Sequence, residues 1–397
     1  GSTPKPFLYA LALEHGFTAA TVLPDIPLEF GGAEIYVPEN FNRRFNGPVR
    51  MRTALASSLN VPAVYTIERL GVAAFADYLR LLGFASLEGQ RQSVGTGLAL
   101  GNAEVTLAEL ARAFTVFARD GSLPAVHWES AGDHAAAIVM EAPTAGIIRS
   151  ILADEPARVP GFGTRSVLET SFGAIFKTGT SSQFNNIWAL GSSSALTVGI
   201  WMGNFGGETV IGTPGSSLPA AVAREVLALF SREGSELPEP RGVREVEICA
   251  TSGMAATPNC PAVLGELFVP GSEPDPCSWH VAPGQPVRYP PEYQSWARDR
   301  RYPVTALLRS DGKDGSLSIV RPADAAVFYV DPTVPLRDQA IPIEVIADHG
   351  PIQLYVEGAF VAEGNSPLLV LLPLRRGSAE IIARVGDAVE RRAITVK

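Results

Sequence analysis

The stretch Lys177-Thr178-Gly179-Thr180 opens on one of only four lysines in the chain, and Ser2-Thr3-Pro4-Lys5 closes on another; the remaining two are Lys313 and Lys397. Basic residues number 32, so arginine carries almost all of the positive charge. Arginine stays protonated in proteins, whereas a buried or crowded lysine gives up its proton. Lysine at positions 5 and 177 therefore points to a titratable amine or a compact ammonium. Ser58-Leu59-Asn60 lies between the two stretches and adds a hydroxyl and an amide.

Each motif has a chemical reading. Ser2 and Lys5 are three apart, which on a helix places both side chains on one face within hydrogen-bond reach. A serine hydroxyl is a poor nucleophile until a base takes its proton. A neutral lysine is such a base once a second cation, here Lys177, lowers its pKa. Ser2 at a helix N-terminus would also meet free amides that favour developing negative charge. Ser58 on a turn between helices can pass a proton, and Asn60 can hold a peptide carbonyl or Lys5. Lys177 ends a strand-like run, Gly179 lets a substrate backbone approach closely, and the flanking hydroxyls suit a carboxylate. Taken singly, the three have ordinary explanations: chance beside a cloning remnant, a helix-end pair and a solvated strand end.

A chain of 397 residues with 46% hydrophobic content is large enough for two or three domains with real cores. A net charge of −9 and the lack of a basic block argue against a nucleic-acid partner. No apolar run is long enough to cross a bilayer. A chain that opens on a candidate catalytic motif reads as part of a longer protein, with any membrane anchor upstream. Cys249, Cys260 and Cys277, with His280 close by, leave three readings open: one disulfide with a spare thiol, a zinc site, or inert thiols. None lies near the serine motifs. No cofactor is implied, and no metal is assigned to the catalytic chemistry.

Residues 1–233 mix helical and strand patterns. Helical periodicity covers residues 5–14, 63–70, 73–82, 106–118, 144–152 and 218–230; residues 172–178, 187–190 and 196–202 are strand-like, the last two forming a hairpin through Gly191-Ser192-Ser193. This order predicts an α+β domain with an antiparallel sheet. Eleven of the 32 prolines lie between Pro238 and Pro291, so residues 234–306 read as a proline-rich linker, docked through Trp279, Tyr289, Tyr293 and Trp296. Seven short β-type runs (317–320, 326–330, 341–346, 352–356, 368–372, 379–385 and 392–396) make residues 307–397 a small β-sandwich. Lys313 sits in an Asp-Gly-Lys-Asp-Gly turn as a solvated charge.

Order and gaps together make the three motifs far more specific than any one of them. The chain resembles class A penicillin-binding proteins of the 1C type. The likeness runs through Gly1-Ser2-Thr3-Pro4-Lys5-Pro6-Phe7, Pro38-Glu39-Asn40-Phe41, Ser57-Ser58-Leu59-Asn60-Val61-Pro62, Ala103-Glu104-Val105-Thr106 and Lys177-Thr178-Gly179-Thr180-Ser181. It continues in Glu247-Ile248-Cys249-Ala250, Cys277-Ser278-Trp279-His280 and Tyr289-Pro290-Pro291-Glu292-Tyr293, and so spans nearly the whole chain. The resemblance implies the serine β-lactamase/penicillin-binding transpeptidase fold and a serine-type D,D-transpeptidase with carboxypeptidase side activity. Its substrates would be peptidoglycan stem peptides and its acylating agents β-lactams. It implies Ser2 as nucleophile, Lys5 as base, Ser58 as proton carrier, Asn60 on the substrate amide and Lys177 as positive potential. Thr178 and Thr180 would bind the terminal carboxylate beside Gly179, where the substrate backbone comes close, and the backbone amides of Ser2 and Thr180 would form the oxyanion hole. Cell-wall synthesis proteins are the expected partners of the C-terminal domain. The expected location is the periplasmic face of a Gram-negative inner membrane.

Two departures stand out. Asn185-Asn186 replace the family's usual Arg-Asp, and the turn Gly191-Ser192-Ser193-Ser194-Ala195 lacks its aromatic and proline. They keep a second expectation alive: a catalytically silent scaffold that binds peptidoglycan. A class A β-lactamase fits less well, because position 59 is Leu where that family has Asp. A Ser-His-Asp hydrolase fits poorly too, since none of the five histidines sits in a recognisable motif.

Overall fold

The computed structural model describes residues 1–28, 38–42, 44–90, 94–126, 136–163, 166–181, 184–210, 217–300, 317–322, 326–328, 340–347, 350–366, 368–373 and 375–396. The Lys313 turn lies outside them, as do the C-terminal Lys397 and part of the expected strand 326–330. Two compact units result, one built on Gly1–Pro27 and Pro38–Thr305, the other on Ala306–Lys397.

The first unit begins with α1 (Lys5–Glu14), β1 (Val22–Asp25), β2 (Gly47–Arg50), α2 (Met51–Ala56), α3 (Val61–Leu70) and α4 (Val72–Leu81). There follow α5 (Leu107–Ala118), β3 (Ser122–Leu123), β4 (Ala137–Ile138), α6 (Ala142–Ala153) and α7 (Glu155–Phe162). Strands β5 (Ala174–Thr180), β6 (Asn186–Ser193) and β7 (Thr197–Gly203) lead to α8 (Ser217–Phe230), and β8 (Arg244–Cys249), β9 (Val263–Phe268) and α9 (Pro291–Asp299) close the unit.

Helix α1 is the hub. Lys5 through Ala12 are all buried, so it is enclosed on every side, as expected of a helix whose apolar residues go all the way round. Phe7 stacks on Phe117 of α5 at 5.2 Å and meets Phe84 edge-on at 5.6 Å. Helix α5 starts where Thr106 and Glu109 cap each other reciprocally. Strands β5, β6 and β7 form an antiparallel sheet in that order. Its two faces separate by the two-residue period of a strand: Ile175 and Leu190 join the α1-centred core, whereas Phe176 and Ala189 pack with Ala220, Ala223 and Leu227 of α8. Each buried Leu, Ile or Phe contributes about 1.5–3 kcal/mol to holding this arrangement.

The β6–β7 hairpin turns later than the sequence suggests. Gly191, Ser192 and Ser193 are strand residues, and Ser193 N donates to Leu196 O across the turn at 3.0 Å. A cross-strand hydroxyl pair, Ser192 with Thr197 at 2.7 Å, extends the ladder.

The second unit is a sandwich of two sheets. One runs β10 (Leu317–Arg321), β12 (Ala340–Ala347), β15 (Leu368–Pro373); the other runs β11 (Ala326–Phe328), β17 (Ala388–Val396), β16 (Gly377–Val385), β13 (Ile352–Val356), β14 (Ala359–Gly364). Ile341, Ile343 and Val345 from the first sheet share a core with Ile352, Leu354, Ile381, Ala383 and Ile394 from the second. Strand β14 is the one the sequence reading lacks. Residues 359 and 360 are exposed and no residue of the strand is fully buried, so no apolar alternation announces it.

Candidate active site

Three elements converge on Ser58: the N-terminal end of α1, the turn between α2 and α3, and β5. The turn is tight, with Ser58 at φ 55° in the left-handed region, unusual for a residue with a side chain. Lys5 Nζ donates to Ser58 O and to Asn60 Oδ1, both at 2.7 Å. Lys177 Nζ donates to Ser58 Oγ at 2.8 Å and to Thr178 O at 2.7 Å. Both lysines are almost wholly buried.

That burial sets their titration. Lys5 is held well below the ordinary lysine range, first by loss of water and then by the charge of Lys177, with the Asp25 carboxylate opposing. Lys177 is lowered to about 7, again by burial first and then by the Arg158 guanidinium. Burial and a neighbouring charge thus ease loss of the proton from both amines.

Ser2 sits outside the helix, on a turn in which Thr3 N donates to Gly1 O at 2.9 Å. This corrects the expected Ser2–Lys5 hydrogen bond. The helix begins only at Lys5, whose ammonium is held by Ser58 O and Asn60 Oδ1, and among the described residues no hydrogen bond reaches Ser2 Oγ. Strand β5 presses its backbone on this turn. A Cβ at Gly179 would stand 2.9 Å from Thr3 Cγ2 and 3.2 Å from Ser2 N, and one at Gly1 would stand 2.8 Å from Thr180 N. Glycine at 179 is what lets the strand and the turn at Gly1–Thr3 approach. Thr178 is buried and Thr180 half-buried; among the described residues their hydroxyls make no hydrogen bond to the other site residues.

Behind the site lies a polar network that the sequence reading did not find. Asn60 N donates to Asn40 Oδ1 at 2.7 Å, and Asn40 Nδ2 donates to Asp25 Oδ1 at 2.7 Å. Asn46 donates to the other Asp25 oxygen from its backbone at 2.9 Å and from its side chain at 2.6 Å. Burial pushes the Asp25 carboxyl up, and the hydrogen bonds from Asn40 and Asn46 pull the other way. Asn60 Nδ2 is committed to Glu39 O at 2.7 Å, so a substrate amide would have to compete for it. In the Asn185-Asn186 pair, Asn186 Oδ1 accepts from Trp201 Nε1 at 2.9 Å, a neutral tie within the sheet. A cavity of about 330 Å³ opens beside Gly1, Thr3 and Pro4, walled by Leu98, Val105 and Trp188.

This scaffold, with two buried lysines gripping one serine, has relatives among known proteins. The penicillin binding protein transpeptidase domain matches residues 1–202, and the chain belongs to that family. The penicillin-binding protein 1A C-terminal domain matches residues 239–280, and the penicillin-binding protein C-terminus family matches residues 306–388. Among individual relatives, penicillin-binding protein 1C of Escherichia coli (strain K12) is 33% identical over 69% of this chain and 36% of its own length. Penicillin-binding protein 1A of Neisseria meningitidis is 27% identical over 61% of this chain and 33% of its own. The chain thus spans about a third of the length of these curated relatives. The crystal structure of penicillin-binding protein 1A from Haemophilus influenzae superposes with a TM-score of 0.57 at 26% identity, covering 69% of this chain and 48% of that one. PonA1 of Mycobacterium tuberculosis, at 20% identity and a TM-score of 0.51 over 66% of this chain and 75% of that one, shares the fold.

Proposed function

We propose that this chain carries the acyl-transfer centre of a peptidoglycan D,D-transpeptidase. The observation behind this reading is the grip of two buried amines on one serine, Lys5 on its carbonyl and Lys177 on its hydroxyl. A silent scaffold would have no reason to bury two lysines at the expense of their hydration.

Ser2 Oγ attacks the carbonyl between the last two D-alanines of a stem peptide as neutral Lys5 takes its proton. The backbone amides of Ser2 and Thr180 stabilise the oxyanion, each donor contributing about 3 kcal/mol. The C–N bond breaks, and Ser58 passes a proton to the departing D-alanine amine. An amine of a neighbouring stem then attacks the ester, forms the cross-link and frees Ser2; water in its place gives carboxypeptidation. Thr178 and Thr180 receive the substrate carboxylate, and Lys177 supplies positive potential when protonated.

Under this reading residues 1–233 form the catalytic domain, 234–306 the connecting region and 307–397 a domain that binds peptidoglycan or a cell-wall synthesis partner. The setting is the periplasmic face of a Gram-negative inner membrane; among the described residues no helix is long and apolar enough to cross it. Intact-mass spectrometry after incubation with a penicillin is the test. One adduct on Ser2, lost in Ser2→Ala, is expected; an adduct that persists in Ser2→Ala overturns the nucleophile. For the C-terminal domain, removal that leaves peptidoglycan and partner association unchanged overturns the binding role.

A further inference from the structure

Cys249 ends β8, Cys260 lies in the turn ahead of β9, and Cys277 and His280 follow the short bridge that joins Ala255 to Pro276. The three sulfurs and a ring nitrogen of the histidine all lie within 4.8 Å of one another. His280 Nδ1 is 3.4 Å from Cys249 Sγ and 3.4 Å from Cys277 Sγ. We propose that these four residues form a structural zinc site.

The ligand set is the first argument. Three thiolates and one imidazole, with no carboxylate among them, match the tetrahedral Cys3His sites that hold zinc rather than calcium or magnesium. Tetrahedral zinc–sulfur bonds of about 2.3 Å place sulfurs about 3.8 Å apart, a spacing this cluster reaches with small side-chain movements.

The second argument is what else the four groups could do. No two of the sulfurs are bonded. A disulfide would use two and leave a third thiol facing a buried histidine. That histidine has no carboxylate or carbonyl partner among the described residues: Nδ1 faces two sulfurs, and Nε2 is buried without a hydrogen bond. A buried imidazole so placed calls for an explanation, and a metal at Nδ1 supplies one. Donors already surround the sulfurs. Ser252 Oγ is 3.2 Å from Cys277 Sγ, and Thr257 N donates to Cys260 Sγ at 3.3 Å, as outer groups do around zinc-bound thiolates.

The third argument is need. Among the described residues the β8–β9 region has a small apolar cluster of its own, Ala20, Ile248 and Phe268 with Val246 against it, while Leu267 packs on the main core; so small a cluster does little to fix the region by apolar burial. Yet it is tied to the catalytic unit. Trp279, between two of the ligands, packs on Tyr289 and Tyr293, and Tyr289 packs edge-on against Trp296. Trp296 Nε1 then donates to Phe45 O, one residue before the Asn46 that holds Asp25. A metal at the far end would anchor this strut.

The test is elemental analysis of the full chain purified without chelator. Stoichiometric zinc, released by a mercurial thiol reagent and lost in Cys260→Ser and His280→Ala, is expected. Because a variant at a buried ligand can misfold, cobalt exchange into the unaltered chain is the companion measurement. It should give a thiolate-to-cobalt charge-transfer band and the intense visible bands of a tetrahedral site. A folded chain without zinc that shows either a disulfide or three freely alkylated thiols overturns the proposal, as does iron in place of zinc. Penicillin labelling of Ser2, read on the same sample, reports the catalytic reading separately.

Discussion

Lys177 Nζ stands 2.8 Å from the hydroxyl of Ser58, while Lys5 Nζ holds the carbonyl of the same residue at 2.7 Å. One serine therefore separates two amines: beyond the burial that affects both, the Lys177 charge lowers Lys5 and the Arg158 guanidinium lowers Lys177. Ser58 does this from a left-handed backbone, at φ 55°.

Replacing Lys5 by arginine keeps a cation but removes the neutral base. Acylation of Ser2 by a fluorescent penicillin should fall at least about 100-fold, the low end for general-base catalysis. Stopped-flow labelling checks it, and a rate near that of the parent would mean that Lys5 acts only through its charge.

Ser58 divides stability from chemistry. Leaving the left-handed region without a Cβ relieves about 1–2 kcal/mol, less the entropy glycine adds to the unfolded chain. Ser58→Gly should therefore be roughly 0.5–1 kcal/mol more stable than Ser58→Ala, although both lose the hydroxyl and most acylation. Urea melts of the two variants decide it. An alanine variant as stable as the glycine one would show that the turn relaxes.

Lys177 makes folding depend on pH. With a folded pKa of about 7 against an ordinary 10.5, it binds fewer protons in the native state than in the unfolded one between those values. Its contribution to stability is fully present above the upper value and is lost as pH falls toward the lower. In that window stability should rise with pH by up to about 1.4 kcal/mol per unit. Lys177→Met should flatten the rise, measured as the difference between denaturant melts of the two proteins across the window. Parallel slopes would contradict a buried, depressed amine.

Much of this was legible in the sequence, for identifiable reasons. Lysine is so scarce that positions 5 and 177 stood out, and the order of the three motifs named the fold. Helix α1 was read to its ends because its apolar run is unbroken and Pro4 and Pro6 mark its start. Asn40 lay in a stretch that carries the resemblance but had no role read for it, and Asp25 and Asn46 carry no mark at all, since an aspartate at a strand end and an asparagine in a loop are common everywhere. Arg158 was hidden for the opposite reason. In an arginine-rich chain one more guanidinium is unremarked, yet this one is buried, donates to Leu152 O at 2.7 Å and weighs on Lys177. The cysteines were seen, but spacing alone left disulfide, zinc and inert thiols open until their side chains were seen to converge.

Glu266 of β9 tests whether the cysteine-bearing region is structurally part of the catalytic unit. It is almost wholly buried and accepts from Arg52 Nε at 3.0 and 2.8 Å, with Arg50 at 3.4 Å. Arg52 also reaches Asp154, which caps α7 by accepting from Ala157 N at 2.9 Å; α7 in turn carries Arg158. Removing the carboxylate would leave two largely buried guanidiniums short of a partner, a loss of about 3 kcal/mol or more. Glu266→Ala should lower the unfolding free energy by that amount. It should also slow penicillin acylation several-fold, because the α7 cap and Arg158 lose their support. Glu266→Gln, which keeps the shape but not the charge, should fall in between. If Glu266→Ala unfolds like the parent in a denaturant melt, the region is only lightly attached and the strut from the cysteine cluster has nothing firm to brace.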